Sequence, residues 1–293
     1  MPINYLDDKM EIIDDESGLK ITIDIVPTVQ LKPHEEIIEE AIRKLINDIK
    51  TEGVVRNPII IDEKTLVILD GMHRFEACRR LNLKFMIVAA VNYDDPRVGL
   101  STWVRLIKAT DIDRKTVQER INQLDEKLKP FKAEANTGYT VTIYFKGEQI
   151  YHENINSESQ AKYNVYYILK ELEKDLASEK AKASYQLDSV VKENMNVYLS
   201  NYELLIVPPK LEKKDVIEIA LQGKVYPPKS TRHTIPARPL NLNIPMNILM
   251  LNNIDEVRRK VMEILRSLRV RKVRGEKVDT YRDYDETIYY FYK

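Results

Sequence analysis

The sequence predicts an α+β fold in two domains, residues 1–130 and 131–293. Three observations carry this reading. Residues 20–95 run strand, helix, strand, strand, helix, strand, which makes one compact mixed unit. Residues 129–138, Lys-Pro-Phe-Lys-Ala-Glu-Ala-Asn-Thr-Gly, interrupt the pattern, and a hairpin restarts it. At 293 residues, with 43% hydrophobic and 31% charged content, the chain can bury substantial cores and is too apolar to be disordered over most of its length.

Taken in order, Ile21-Thr22-Ile23-Asp24-Ile25-Val26-Pro27 alternates apolar and polar residues and predicts a strand. Pro33 suits a helix start, where its missing N–H costs nothing, and Ile38, Ala41, Ile42, Leu45, Ile46 and Ile49 fall at helical spacing. A helix is therefore expected from about His34 to Lys50, stopped by Gly53. Pro58 to Asp62 and Thr65 to Leu69 predict two short strands around a Glu63-Lys64 turn. Asp70-Gly71 breaks the second, a helix follows from about His73 to Leu81, and Phe85 to Val91 is a further strand. Leu100 to Leu128 reads as largely helical. Tyr139 to Phe145 and Glu148 to Tyr151 flank Lys146-Gly147 as a hairpin. Helices are expected over Ser159–Lys180, Lys213–Gln222 and Asp255–Val270, with strands near Glu203–Val207 and Thr287–Tyr292. Residues 225–245 hold five prolines and predict a long, stiffened loop.

Composition removes several classes of function. Lys plus Arg and Asp plus Glu both number 46, so a duplex-binding role, which needs a basic excess, is not expected. The one cysteine, Cys78, makes no intrachain disulfide and no cysteine-based zinc site, and a reducing, cytoplasmic setting is expected. No run of 18 apolar residues exists to span a membrane. Four histidines without HExxH spacing do not predict a dedicated transition-metal site.

Three polar clusters remain. In Pro33-His34-Glu35-Glu36, a carboxylate can complement a helix N-terminus or accept a proton from a hydroxyl nucleophile. In Asp70-Gly71-Met72-His73-Arg74, a strand ends, glycine permits a tight turn, and a helix begins. Its unpartnered N–H groups form an anion site beside the Arg74 guanidinium, while Asp70 can hold magnesium. In Lys229-Ser230-Thr231-Arg232-His233, cations and hydroxyls sit between Pro227-Pro228 and Pro236. Each cluster suits phosphate handling, yet neither a Walker motif nor a kinase glycine-rich loop is present.

Leu31-Lys32-Pro33-His34-Glu35 followed by Ile68-Leu69-Asp70-Gly71-Met72-His73-Arg74-Phe75 resembles the ParB and sulfiredoxin superfamily. Ser101-Thr102-Trp103, Val225 to His233 and Pro236 to Pro239 narrow the resemblance to the free serine kinases. The resemblance implies a ParB/sulfiredoxin-like catalytic domain, with a second α+β domain that carries the Pro227–His233 loop and closes over the active-site cleft. It implies transfer of a phosphoryl group from ADP or ATP, with Mg2+, to free L-serine, giving O-phospho-L-serine for cysteine biosynthesis or related metabolism. On that basis Glu35 and Asp70 are the expected catalytic residues, with Asp70 also on the metal. Gly71, Met72, His73, Arg74, Ser230, Thr231, Arg232 and His233 are expected to bind nucleotide and phosphate, Arg232 and His233 stabilising the transferred group. Glu36, Thr102, Trp103 and Lys229 are expected around the substrate. The partners implied are a nucleotide and a small hydroxy amino acid. Met72 stands where the family pattern often has histidine.

Other readings have their own requirements. A ParB-like DNA-binding regulator would draw on Arg266, Arg269, Arg271, Lys272, Arg274 and Lys277, but no helix-turn-helix is evident after residue 100. A kinase for L-threonine would differ by one methyl group in the pocket near Trp103. A sulfiredoxin-like reductase would need a reactive thiol, and Cys78 reads as part of a helix core.

Overall fold

The computed structural model describes residues 3–109, 112–176, 181–274 and 285–293. The chain divides into two compact units, Met1–Gly99 with His233–Lys293 and Leu100–Arg232. The first unit is thus built from both ends of the chain. The boundary expected at 130 falls inside the second unit instead. The reason is packing: Val117, Ile121, Leu124 and Leu128, before residue 130, share one hydrophobic cluster with Val141, Ile143, Leu169 and Leu204 after it.

The first unit opens with β1 (Ile3–Tyr5), β2 (Met10–Ile13) and β3 (Lys20–Pro27). Next come α1 (Glu39–Glu52), β4 (Val54–Val55), β5 (Ile59–Asp62), β6 (Ile68–Asp70), α2 (Met72–Arg80) and β7 (Phe85–Val91). Its main sheet has the order β1-β2-β3-β7-β5-β6. The β3 alternation buries Ile21, Ile23 and Ile25. β7 pairs antiparallel to β3 and parallel to β5, and Met86, Ile87, Val88 and Ala89 are fully buried at the sheet centre.

α1 starts five residues later than the spacing predicted. The stretch before it is extended: Lys32 N donates to Leu66 O at 3.1 Å, and Ile68 N donates to Lys32 O at 2.9 Å. The backbone of Lys32 is therefore engaged with Leu66 and Ile68, at the start of β6, rather than with a helix. At the other end, Gly53 closes α1 in the left-handed region (φ 70°), and its N–H bonds Ile49 O.

The second unit contains β8 (Gly99–Ala109), α3 (Arg114–Leu128), β9 (Thr140–Phe145), β10 (Glu148–Asn154) and α4 (Ser159–Leu176). It continues through β11 (Ala181–Leu187), α5 (Asp188–Glu193), α6 (Met195–Asn201), β12 (Leu204–Val207) and α7 (Lys213–Leu221). The sheet order is β10-β9-β12-β8-β11, with antiparallel pairing throughout. The expected helix over 100–128 is thus a strand followed by a helix. β8 lies inside the sheet with Val104, Arg105, Leu106 and Ile107 all buried, so it lacks the period-2 alternation of a half-exposed strand. A buried ion pair, Lys162 Nζ to Asp215 Oδ2 at 2.7 Å, links α4 to α7.

The chain then runs through β13 (Thr231–Thr234), which pairs with β8, to β14 (Ala237–Leu240) and β15 (Ile244–Pro245). The expected proline-rich loop is therefore largely edge strand. α8 (Met246–Leu249), α9 (Ile254–Ser267), β16 (Arg269–Val273) and β17 (Thr287–Tyr292) complete the chain. β14 runs parallel to β17, and β16 antiparallel to it. No described helix is long and apolar enough to cross a membrane.

Candidate active site

In the first unit, the first two clusters meet at the carboxyl end of β6. An isolated parallel bridge joins Lys32 to Val67. Glu35 and Asp70 each lie three residues beyond that bridge on the two adjacent segments. His34, 2% exposed, fixes the alignment from inside, with Nδ1 2.5 Å from Ile68 O. Neither Glu35 nor Glu36 lies in a helical turn, so helix-dipole complementation does not account for them.

Gly71 links β6 to α2 with φ 99°, a conformation open to glycine and strained for other residues. A Cβ there would come within 2.8 Å of Ile59 Cγ2. The turn lets a helix start directly after Asp70, so the N–H groups of Met72, His73 and Arg74 form its first turn. The side chains of these residues mostly serve the fold. Met72 is buried, His73 Nε2 accepts the Ile38 N–H at 3.0 Å, and Arg74 Nη1 donates to Pro58 O at 2.5 Å. The anion-binding capacity of this turn resides in its backbone.

His233 also belongs to this unit. Its ring stands edge-on to His34 at 5.2 Å, and its Nε2 lies 2.7 Å from the Tyr93 hydroxyl. Burial holds both imidazoles below their ordinary range, His34 to about 4 and His233 well below 6.5, with the mutual repulsion of the two rings adding to the effect at His233. Both are neutral at pH 7. The expected cationic role of His233 is therefore corrected: this ring is a neutral hydrogen-bonding group.

The charge on this surface comes from a residue that sequence reasoning did not name. Arg238 on β14 is 3% exposed and bridges two acids, with Nη1 against Asp70 Oδ2 and Nε against Glu286 Oε1. Arg238 lies in the Pro236–Pro239 segment, which was the available signal. Glu286 and Tyr93 carried none.

In the second unit, Trp103 Nε1 donates to Thr231 O at 2.9 Å, and Lys229 Nζ lies 5.1 Å from the centre of the Trp103 ring. Lys229 itself has φ 62°, which turns the loop sharply there. Trp103, Lys229 and Thr231 are thus neighbours. Thr102 is 1% exposed, and its N–H points to Asp188 Oδ1 at 3.3 Å. Ser230 is fully buried, with its hydroxyl donating to Pro227 O at 2.7 Å, so that group braces the loop. Arg232, half-buried, ends the unit.

Part of the basic run from Arg266 is engaged within the first unit. Lys272 pairs with Asp15 and with Glu16 (2.7 Å), Arg274 pairs with Glu16 at 2.9 Å, and Arg271 lies over the Tyr290 ring. Lys277 lies outside the described residues. Cys78 is buried in α2, and burial pushes its thiol up to about 12, which removes thiolate chemistry at neutral pH. Among the described residues no three His, Cys, Asp or Glu side chains cluster as a metal cage. Magnesium carried by a nucleotide needs only one or two protein carboxylates, and Asp70 fits that requirement.

The sequence pattern of the ParB N-terminal domain matches residues 8–104. The chain is 31% identical over 238 residues to an ATP-dependent L-serine kinase of Staphylothermus marinus, covering 77% of this chain and 90% of that protein. It is 24% identical over 226 residues to the ADP-dependent L-serine kinase SerK of Thermococcus kodakarensis, covering 75% and 90%. Among solved structures, a free serine kinase in complex with AMP shares the fold, with a TM-score of 0.56 and 20% identity over 78% of this chain and 93% of that one.

Proposed function

The chain belongs to the L-serine kinase family, and from that membership we propose that it transfers a phosphoryl group from ATP or ADP to free L-serine, giving O-phospho-L-serine. In this reaction the serine hydroxyl oxygen attacks the terminal phosphorus. The new O–P bond forms as the bridging O–P bond breaks, and the nucleotide leaves one phosphate shorter. The hydroxyl proton goes to Glu35. The single observation behind this reading is the bridge of Lys32 to Val67, three residues before Glu35 and Asp70, where Gly71 turns the chain directly into α2.

The chemistry asks for alignment and charge neutralisation rather than covalent help from the protein. The amides of Met72, His73 and Arg74 receive the donor phosphates, and the absence of a side chain at Gly71 lets those phosphates approach. Asp70 holds Mg2+, which neutralises phosphate charge when bound. Glu35 orients the hydroxyl and accepts its proton. In the second unit, Thr102, Trp103 and Lys229 are assigned to the amino acid, as is Glu36 in the first. Thr231 and Arg232 serve the phosphates, while Ser230 keeps the loop in shape. A neutral His233 fits hydrogen bonding better than charge stabilisation. The partners on this reading are a nucleotide and L-serine, and the setting is the cytoplasm.

The test is incubation of the full chain with Mg2+, either ATP or ADP, and L-serine or L-threonine, followed by phosphorus NMR. Formation of O-phospho-L-serine is the expected result. Nucleotide turnover that is indifferent to the amino acid would refute the assignment.

A further inference from the structure

The Asp70–Arg238–Glu286 arrangement points to a role that none of the residues assigned above explains. We propose that Arg238 is the positioning residue for Asp70, and that Glu286 holds Arg238 from behind. This inference rests on the serine-kinase reading and deepens it.

The three residues come from three strands or their ends. Asp70 closes β6, Arg238 lies on β14, and Glu286 immediately precedes β17. Parallel pairing of β14 with β17 sets Arg238 opposite Ile288, and the Thr287 N–H bonds Pro236 O at 3.0 Å, which anchors Glu286 beside Arg238. The guanidinium is 3% exposed, the Glu286 side chain 12% and the Asp70 side chain 32%, so the charge chain runs from inside toward solvent and ends at the proposed catalytic acid.

A planar guanidinium spreads its charge over separate edges, so Arg238 hydrogen-bonds Asp70 through Nη1 while its Nε, which makes no hydrogen bond, faces Glu286 as an ion pair. Lysine, a single point charge, cannot do this. Arg238 is shared between Asp70 and Glu286, so the Asp70 carboxylate is held in one orientation without taking the whole of that cation's charge.

The experiment uses the full chain as wild type, Arg238→Lys, Glu286→Gln, Asp70→Asn and the Asp70→Asn/Arg238→Lys double variant. It measures kcat, the serine KM, nucleotide affinity by calorimetry, and the unfolding midpoint. Arg238→Lys should lower kcat about 100-fold while serine KM and nucleotide Kd stay within about threefold. Glu286→Gln should lower kcat about tenfold. The double variant should be no slower than Asp70→Asn, because Arg238 acts through that carboxylate. Should Arg238→Lys fail to fold, the isosteric Glu286→Gln decides the question alone. Unchanged kcat in a folded variant, or losses that multiply in the double variant, would overturn the inference while leaving an active wild type as a serine kinase. A wild type inert toward serine would overturn the kinase reading, and this inference with it.

Discussion

Acidification should destabilise this protein in a pH window that belongs to its buried histidines. His34 is shut away from water among the Ile68 carbonyl, the His233 ring and Asp70. Burial lowers its pKa from 6.5 to about 4, more than the Ile68 carbonyl and Asp70 restore. Between those limits the unfolded chain takes up a proton that the native chain refuses, so stability falls with falling pH. The stabilisation is fully present above 6.5 and is lost progressively down to about 4. Each pH unit costs about 1.4 kcal/mol, so going from pH 6.5 to 5 removes about 2 kcal/mol through His34 alone, and His233 acts in the same direction. That is a large share of a typical domain stability of roughly 5–15 kcal/mol. Carboxylates do not blur this window. Asp14 and Glu76 have lowered values, so their contributions are lost only below 3.8 and 4.5. Urea unfolding between pH 7.5 and 5, for wild type and His34→Gln, measures the effect. The glutamine amide retains a donor for Ile68 O but does not titrate, so its slope should be shallower by about 2 kcal/mol over the same interval. A flat wild-type profile, or identical slopes in both proteins, would refute the reasoning.

Three further expectations bear on the site and its scaffold. Glu35→Gln should keep nucleotide binding by calorimetry and lose at least about 100-fold in turnover, as removal of a general base does; an active variant would remove Glu35 from that role. Gly71→Ala should cost about 1–3 kcal/mol in urea unfolding, because φ is 99° and the added methyl meets Ile59 at 2.8 Å, and it should weaken nucleotide binding through the displaced helix start. Lys162→Met should cost about 3–5 kcal/mol, since it strands the fully buried Asp215 carboxylate without its cation; thermal and urea melts would both report it.

Much of this architecture is written locally in the chain. The β3 alternation, the Gly53 stop, the Asp70-Gly71 break and the Lys146-Gly147 hairpin each depend on near neighbours, and each is observed. What failed depends on distant partners. Pro33 suggested a helix start, but the Lys32 backbone before it bonds Leu66 and Ile68. The apolar residues of 100–109 fall at helical spacing because a strand buried within a sheet has no reason to alternate. Residues 231–240 look like loop because their strand partners are β8 and β17, one far before and one far after in sequence. At the candidate site, motif chemistry singled out Glu35, Asp70 and Gly71, and the structure puts Asp70 and Gly71 at the junction of β6 and α2. Arg238 and Glu286 were not singled out, since only the parallel β14–β17 pairing brings two ordinary charged residues to Asp70. The helix expected over Asp255–Val270 ends at Ser267, and the following basic residues pair with β17 and with Asp15 and Glu16 rather than forming a cationic tail.

On the proposed reading, the first unit meets phosphate through a helix terminus more than through its own cationic side chains. Among the described residues, Arg238 is shared between two acids, Arg74 gives one N–H to the Pro58 carbonyl while keeping its charge, and both buried imidazoles are uncharged at pH 7. Backbone N–H groups cannot be neutralised by an acid in this way, because they carry no net charge and their direction is fixed by the helix. Asp70 and Glu35 add negative charge beside that terminus, which repels a bare nucleotide and favours one that arrives with its metal ion. If Glu35 is the base proposed above, such a surface is suited to moving a phosphoryl group to serine rather than to holding nucleotide for its own sake.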